Sequence, residues 1–198
     1  MADDLVARLD VYFSLLSRWN EKINLTSLAD PDEAVDRLIL EPLMAARHVA
    51  AHATTLIDVG SGGGSPAIPL TLALPNVGLR MVESKVRKSA FLREAVRQLQ
   101  LTAVVETARV EELLARAELH EAFDVLSVRA VRVETRMLHT LQAFLAPGAQ
   151  MLLFRGPSGP DAPPAVIPPL GFEATYPLID SLRSRLTILT KRRIGLGQ

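Results

Sequence analysis

The chain has 198 residues, 48% of them hydrophobic and 22% charged, which is enough for one domain with a full core and too little for two large ones. Lys plus Arg number 22 and Asp plus Glu 22, so the formal net charge is zero and overall charge argues for no anionic partner. There is no cysteine, which excludes disulfides and thiolate metal sites.

Apolar runs are broken by Pro, Gly or Arg within about ten residues, too short for a membrane span. Met1-Ala2-Asp3-Asp4 lacks the basic-then-apolar layout of a signal peptide, so a cytoplasmic protein is expected. Leu5, Leu9, Tyr12, Leu16 and Trp19 follow helical spacing, and an amphipathic helix is predicted to open the chain. A second helix is predicted after Asp30-Pro31, with Asp30 as N-cap, running through Val35, Leu38 and Ile39 towards Pro42. Residues 1–50 therefore read as a helical extension, and 51–198 as a separate domain of different character.

Short apolar strands are predicted at 55–59, 79–82, 103–107, 123–128 and 150–154. Helical patterns fall between them at 66–74, 86–99, 110–117 and 134–144. Strands alternating with helices of this length give parallel βαβ units, with right-handed crossovers that place helices on both faces. Residues 156–169 read as a loop. Strands at 172–179 and 185–190 follow, joined near Asp180-Ser181; with no helix between them they must be antiparallel. The fold class is α/β: a Rossmann-like, mostly parallel sheet with an antiparallel C-terminal hairpin. This resembles the class I methyltransferases, with an N-terminal helical extension added.

Asp58-Val59-Gly60-Ser61-Gly62-Gly63-Gly64 closes the first strand and opens a helix. Glycines there let the backbone turn sharply and approach a ligand with no Cβ in the way. Glu83 ends the next strand, 25 residues after Asp58, about the offset of an acid that grips ribose hydroxyls. A nicotinamide-dinucleotide site would need its third glycine at Ser65. A tight turn in a plain α/β protein accounts for the glycines but not for Glu83. S-adenosylmethionine is the expected cofactor.

Arg18-Trp19-Asn20, Asn24-Leu25-Thr26-Ser27 and the stretch from Arg37 to Glu41 resemble the N-terminal signature of the glucose-inhibited division protein B family. The glycine loop through Leu70 is similar to that family's cofactor loop. Glu83-Ser84 with Lys85, Arg87, Lys88 and Phe91-Leu92-Arg93 is similar to its second motif, and Arg109-Val110-Glu111-Glu112, Ser127-Val128-Arg129-Ala130 and Phe154-Arg155-Gly156 to later ones. The family methylates nitrogen 7 of one guanine in small-subunit ribosomal RNA. The resemblance implies that Gly60, Gly62 and Gly64 hold the methionine end of the cofactor and Glu83 its ribose, with Asp58, Ser61 and Ser84 in the same site. Arg109, Val110 and Glu111 would lie beside the adenine. Arg129 and Arg155 would face the target nucleotide, Arg129 also contacting cofactor. The implied partner is ribosomal RNA or the small-subunit particle, bound by a monomer, with no DNA involved. The sequence departs from the family's pattern at Leu38 (usually His), Glu41-Pro42 (Asp-Ser), Ser65-Pro66-Ala67 (Leu-Pro-Gly) and Arg155 (Lys). The family's C-terminal arginine aligns near Ser184.

Nitrogen 7 of guanine is a bare lone pair, so methylation there needs alignment rather than a general base. Arginine suits this site, holding guanine or phosphate bidentately while never acting as a base. Carbon-5 methylation of pyrimidines needs a cysteine nucleophile, which is absent. His48, His52, His120 and His139 have no metal-ligand spacing, and no metal is expected. Two basic groups, Arg80/Lys85/Arg87/Lys88/Arg93 and Arg183/Arg185/Lys191/Arg192/Arg193, are candidate RNA contacts or simply solvated faces. A small-molecule methyltransferase and a non-catalytic cofactor- or RNA-binding paralogue remain as alternatives.

Overall fold

The computed structural model describes residues 2–26, 30–129, 134–157 and 165–193. Ser27, Ala130 and positions 158–164 of the expected 156–169 loop lie outside the described residues. Helix α1 (Ala2–Ile23) is followed by α2 (Pro31–Val35), a π turn over Asp36–Leu40, and α3 (Glu41–Ala46). Then come β1 (Thr55–Val59), α4 (Ala67–Ala73), β2 (Gly78–Val82), α5 (Val86–Gln98), β3 (Ala103–Glu106) and β4 (Phe123–Arg129). The chain continues through α6 (Thr135–Gln142), β5 (Leu145–Arg155), β6 (Leu170–Pro177) and β7 (Arg185–Lys191).

The seven strands form one sheet in the order β3-β2-β1-β4-β5-β7-β6. β1 to β5 are parallel, and β7 runs antiparallel to both β5 and β6. The order reverses between β1 and β4. In open α/β sheets the crevice at such a reversal, beyond the carboxyl ends of the strands, is where ligands bind.

One face of the sheet, through Leu56, Leu79, Met81, Val125, Leu152 and Phe154, packs under α1, α4 and α5. The other, through Ile57, Leu126, Val128 and Leu153, packs under α6 and the segment after β3. Each strand alternates sides, so both faces being covered demands near-continuous apolar runs. α1 buries Leu9, Tyr12 and Leu16 at the expected spacing, with Leu15 as well. Trp19 meets Phe91 of α5 edge-on, centroids 5.9 Å apart. The sheet and the described helices that precede β1 thus share one apolar core.

Three expectations change. The helix expected at 110–117 is instead two 3-10 turns, Val110–Ala115 and Ala117–Leu119. Its buried pair, Val110 and Leu113, is three apart and satisfies a three-residue turn as well as an α-helix. The second helix does not stop before Pro42. The π turn resets the ladder, and Pro42 falls in the first turn of α3, where its missing N–H is no loss. β5 starts at Leu145, earlier than expected, through Ala146-Pro147-Gly148. Asp30 caps α2 as expected, accepting the N–H groups of Asp32 and Glu33.

Candidate active site

The loop after β1 is shaped by left-handed backbone at Gly60 (φ 76), Gly62 (φ 49) and Gly64 (φ 85), a conformation that L side chains rarely adopt. The two glycines of the inner turn serve different ends. A Cβ on Gly64 would stand 2.6 Å from Ile68 Cδ1, so that glycine lets the loop close onto its own helix. A Cβ on Gly62 would meet only Gly60 O, at 3.7 Å, among the described residues, so there is room beside it. The carbonyl of Val82 accepts the N–H groups of Gly60 and Ser61, tying the loop to the end of β2.

Glu83 is buried and both of its carboxylate oxygens touch this frame. Oε2 accepts the Gly62 N–H at 3.0 Å and Oε1 the Lys85 N–H at 2.7 Å. An ionised carboxylate offers about four lone-pair sites, so each oxygen keeps acceptor capacity for a further donor. Glu83 therefore braces the loop as well as standing where the ribose acid was expected. Ser61 is buried, its hydroxyl donating to Asp58 O at 3.1 Å. Ser84 is exposed beside Glu83.

Asp58 and Arg129 lie on the same face, at the carboxyl ends of β1 and β4. Asp58 is in register with Ser127, and Arg129 follows two residues later, about 7 Å along the strand. Asp58 is 1% exposed. Its Oδ1 accepts the Ser127 hydroxyl at 2.5 Å, while Oδ2 has no hydrogen-bond partner among the described residues. Burial pushes its carboxyl above the usual range, against the Ser127 hydrogen bond and the Arg129 charge.

The Arg129 guanidinium is likewise buried. Nη1 donates to Arg37 O at 2.6 Å and pairs with Glu41 at 3.0 Å, and the group lies over the Phe154 ring at 4.8 Å. Its Nε and Nη2 have no partner among the described residues. Burial lowers the pKa of this guanidinium, Glu41 opposing most. A half-used carboxylate and a half-used guanidinium, both desolvated, are costly to keep. Together they match a zwitterion, an ammonium against Asp58 and a carboxylate against Arg129.

Arg129 is in register with Phe154, so Arg155 points to the opposite face of the sheet. The structure does not bring the two arginines together; Arg155 stands in register with Arg185 of β7. Arg109 and Glu111 are exposed, and Val110 between them is buried. Glu112 Oε2 accepts the Arg109 N–H at 3.4 Å, closing the turn.

Sequence reasoning missed Tyr12 and Glu41. Tyr12 carries no motif signal and read as one more core aromatic, yet its hydroxyl donates to Gly63 O at 2.7 Å. Glu41, noted as the end of the N-terminal signature and as a departure from it but given no role, is 5% exposed. An acid on an otherwise apolar helical stretch was the signal that could have found it. No group of His, Asp and Glu among the described residues is arranged to hold a metal. None of the helices in the described residues is long and apolar enough to cross a membrane.

The strand order, the glycine loop at the reversal point and the antiparallel last pair define a class I methyltransferase fold. Solved structures share it. A SAM-dependent methyltransferase from Aquifex aeolicus superposes with a TM-score of 0.59 at 15% identity, over 88% of this chain and 97% of that one. The mitomycin 7-O-methyltransferase MmcR gives 0.62 at 16%, over 91% and 67%.

The chain belongs to the GidB family, rRNA small subunit methyltransferase G, whose model matches residues 5–162. Ribosomal RNA small subunit methyltransferase G of Stenotrophomonas maltophilia (strain K279a) is 41% identical over 147 residues, 73% of this chain and 66% of that protein. Its counterpart in Xanthomonas campestris pv. campestris (strain B100) is 38% identical over 156 residues, 77% and 70%. With the Xanthomonas axonopodis pv. citri relative also matched over 66% of its length, the chain spans about two thirds of several of these relatives.

Proposed function

We propose that the chain transfers the methyl group of S-adenosylmethionine to nitrogen 7 of a guanine in small-subunit ribosomal RNA. The observation that carries this reading is the pair of buried groups of opposite charge, Asp58 and Arg129, each with polar atoms lacking a partner among the described residues, beside a glycine loop with room at Gly62. A cofactor with an amino-acid end, a ribose and a purine matches the donors and acceptors in their order along the strand ends. Asp58 Oδ2 takes the ammonium and the Nε/Nη2 edge of Arg129 the carboxylate. Gly60, Ser61, Gly62 and Gly64 give a backbone path for the methionine chain. Glu83, with Ser84 beside it, accepts from the ribose hydroxyls. Arg109, Val110 and Glu111 line the adenine, with the buried Val110 as its apolar floor.

S-adenosylmethionine supplies an electrophilic methyl on sulfur when bound. Guanine nitrogen 7 carries no proton, so no residue here needs to act as a base. The chain's task is to orient the nucleotide and keep water out. Arg155 is proposed to meet RNA rather than cofactor. The partner is the ribosomal RNA or its particle, the protein acts as a cytoplasmic monomer without DNA, and residues 1–50 form an extension to a domain at 51–198.

Calorimetry with S-adenosylmethionine and tritiated-methyl transfer to small-subunit particles test the reading. Binding with transfer, mapped by mass spectrometry to guanine nitrogen 7, is expected. Binding with no transfer to RNA or particles would redirect the assignment to a small-molecule acceptor. Absence of binding would end the cofactor assignment.

A further inference from the structure

We infer that the helices preceding the sheet are a working part of the cofactor site, with Tyr12 and Glu41 as positioning residues for the glycine loop and for Arg129. The inference rests on the cofactor reading given above.

Tyr12 is fully buried, and its hydroxyl reaches across 51 residues of sequence to Gly63 O. One turn further along α1, Leu16 Cδ1 lies 3.1 Å from where a Gly63 Cβ would stand, so the helix presses on the rear of the loop. Phenylalanine would fill the same volume. The hydroxyl adds a partner for a carbonyl shut away from water. Burial pushes the Tyr12 pKa far upward, so the hydroxyl is a donor at every working pH. The peptide it holds, Gly63–Gly64, is gripped at both ends, because the Gly64 N–H donates to Ser61 O at 2.6 Å. Glu83 holds the Gly62 N–H from the other side. Two contacts, one from α1 and one from just after β2, thus fix the Gly63–Gly64 and Ser61–Gly62 peptide planes of the loop.

Glu41 acts on the second half of the site. It binds Arg129 through Nη1, the nitrogen that also meets Arg37 O, while Phe154 lies against the guanidinium face. The nitrogens left over, Nε and Nη2, form the side-on edge that grips a carboxylate through two parallel bonds. Glu41 therefore decides which edge of a buried arginine is offered, and balances its charge.

Tyr12→Phe and Glu41→Gln test this, each close in shape to the native residue. Calorimetric affinity for S-adenosylmethionine should fall roughly three- to tenfold in each, the worth of one net hydrogen bond. The KM for cofactor should rise in step, while kcat at saturating cofactor stays near wild type. Leu141→Val, in the core of the opposite face, supplies a variant of reduced thermal stability with cofactor affinity unchanged. Unchanged affinity in Tyr12→Phe and Glu41→Gln, or an equal affinity loss in Leu141→Val, overturns the inference. Wild-type protein that binds no cofactor removes the reading it rests on; that result is distinct, because it precedes any variant.

Discussion

Ser127 donates its hydroxyl to Asp58 Oδ1 at 2.5 Å across the β1–β4 pair, leaving Oδ2 buried without a partner among the described residues. One oxygen is satisfied by the fold; in the proposed cofactor complex the other would take the ammonium.

That asymmetry has a pH signature. Burial raises the Asp58 pKa above its ordinary 3.8, so as pH rises the unfolded chain releases this proton before the native one. The contribution of Asp58 to stability therefore falls as pH climbs from 3.8 through the raised value. Asp58→Asn should remove this dependence and melt at or above the wild-type temperature at neutral pH. Its cofactor affinity should drop by about 1.5–3 kcal/mol, the worth of a hydrogen bond to a charged group. Wild-type affinity should itself weaken as pH falls through the raised value, because an ammonium needs the ionised form. Thermal melts and calorimetry from acid to neutral pH check both; a stability loss in Asp58→Asn at neutral pH would contradict the account.

Gly62 and Gly64 should separate by phenotype. Both have positive φ, worth about 1–2 kcal/mol against any L side chain. Gly64→Val adds the collision with Ile68, about 1–3 kcal/mol of overpacking, and should melt lower. Gly62→Val should keep more of its stability and lose cofactor binding, since its side chain enters the room beside the loop. Paired melting and binding measurements decide it, and normal cofactor affinity in Gly62→Val would remove Gly62 from the site.

The two arginines should also diverge. Arg129→Ala strands buried Glu41, which costs about 3–5 kcal/mol, and should lose stability and cofactor affinity together. Arg129→Met with Glu41→Leu should recover stability but not binding. Arg155→Ala, on the other face, should spare cofactor affinity and lower transfer to RNA. A double-mutant cycle by denaturant titration tests the first part; Arg155→Ala with impaired cofactor binding would refute the second.

RNA affinity should depend on Lys85 and Arg87, both exposed at the start of α5. Arg93 is occupied with Val105 O and Thr107, and Lys191 is buried against Glu121, Gln142 O and Leu145 O. Charge reversal at Lys85 and Arg87 should flatten the salt dependence, by about 0.9 in log–log slope for each duplex phosphate that is no longer neutralised. Arg93→Glu should do less, and Lys191→Glu should fail as a fold rather than as a binder. Filter binding against salt, with melting as control, separates these; an undiminished slope in the Lys85/Arg87 variant would place the RNA surface elsewhere.

The parallel sheet, the closing antiparallel pair and the glycine loop were legible along the chain because each is a local pattern. A strand of this sheet is buried on both faces and reads as an apolar run, as at Thr55–Val59. Left-handed backbone needs glycine, as at Gly60, Gly62 and Gly64. The place of Glu83, next to the loop at the end of β2, was legible because its distance from the loop follows from one βαβ unit. The segment at 110–117 was misread because a buried pair three residues apart fits two helical periods. The roles of Tyr12, Glu41 and Arg129 depend on contacts 51, 88 and 92 residues distant, and no periodicity encodes those. Sequence alone therefore determined which face each strand presents and where the loop must bend, since both follow from the chirality and pleat of the backbone. Only the tertiary structure decided which buried charges are half-satisfied and that the first helices close over them. Satisfying a polar group is a property of everything packed around it, not of the residues beside it in the chain.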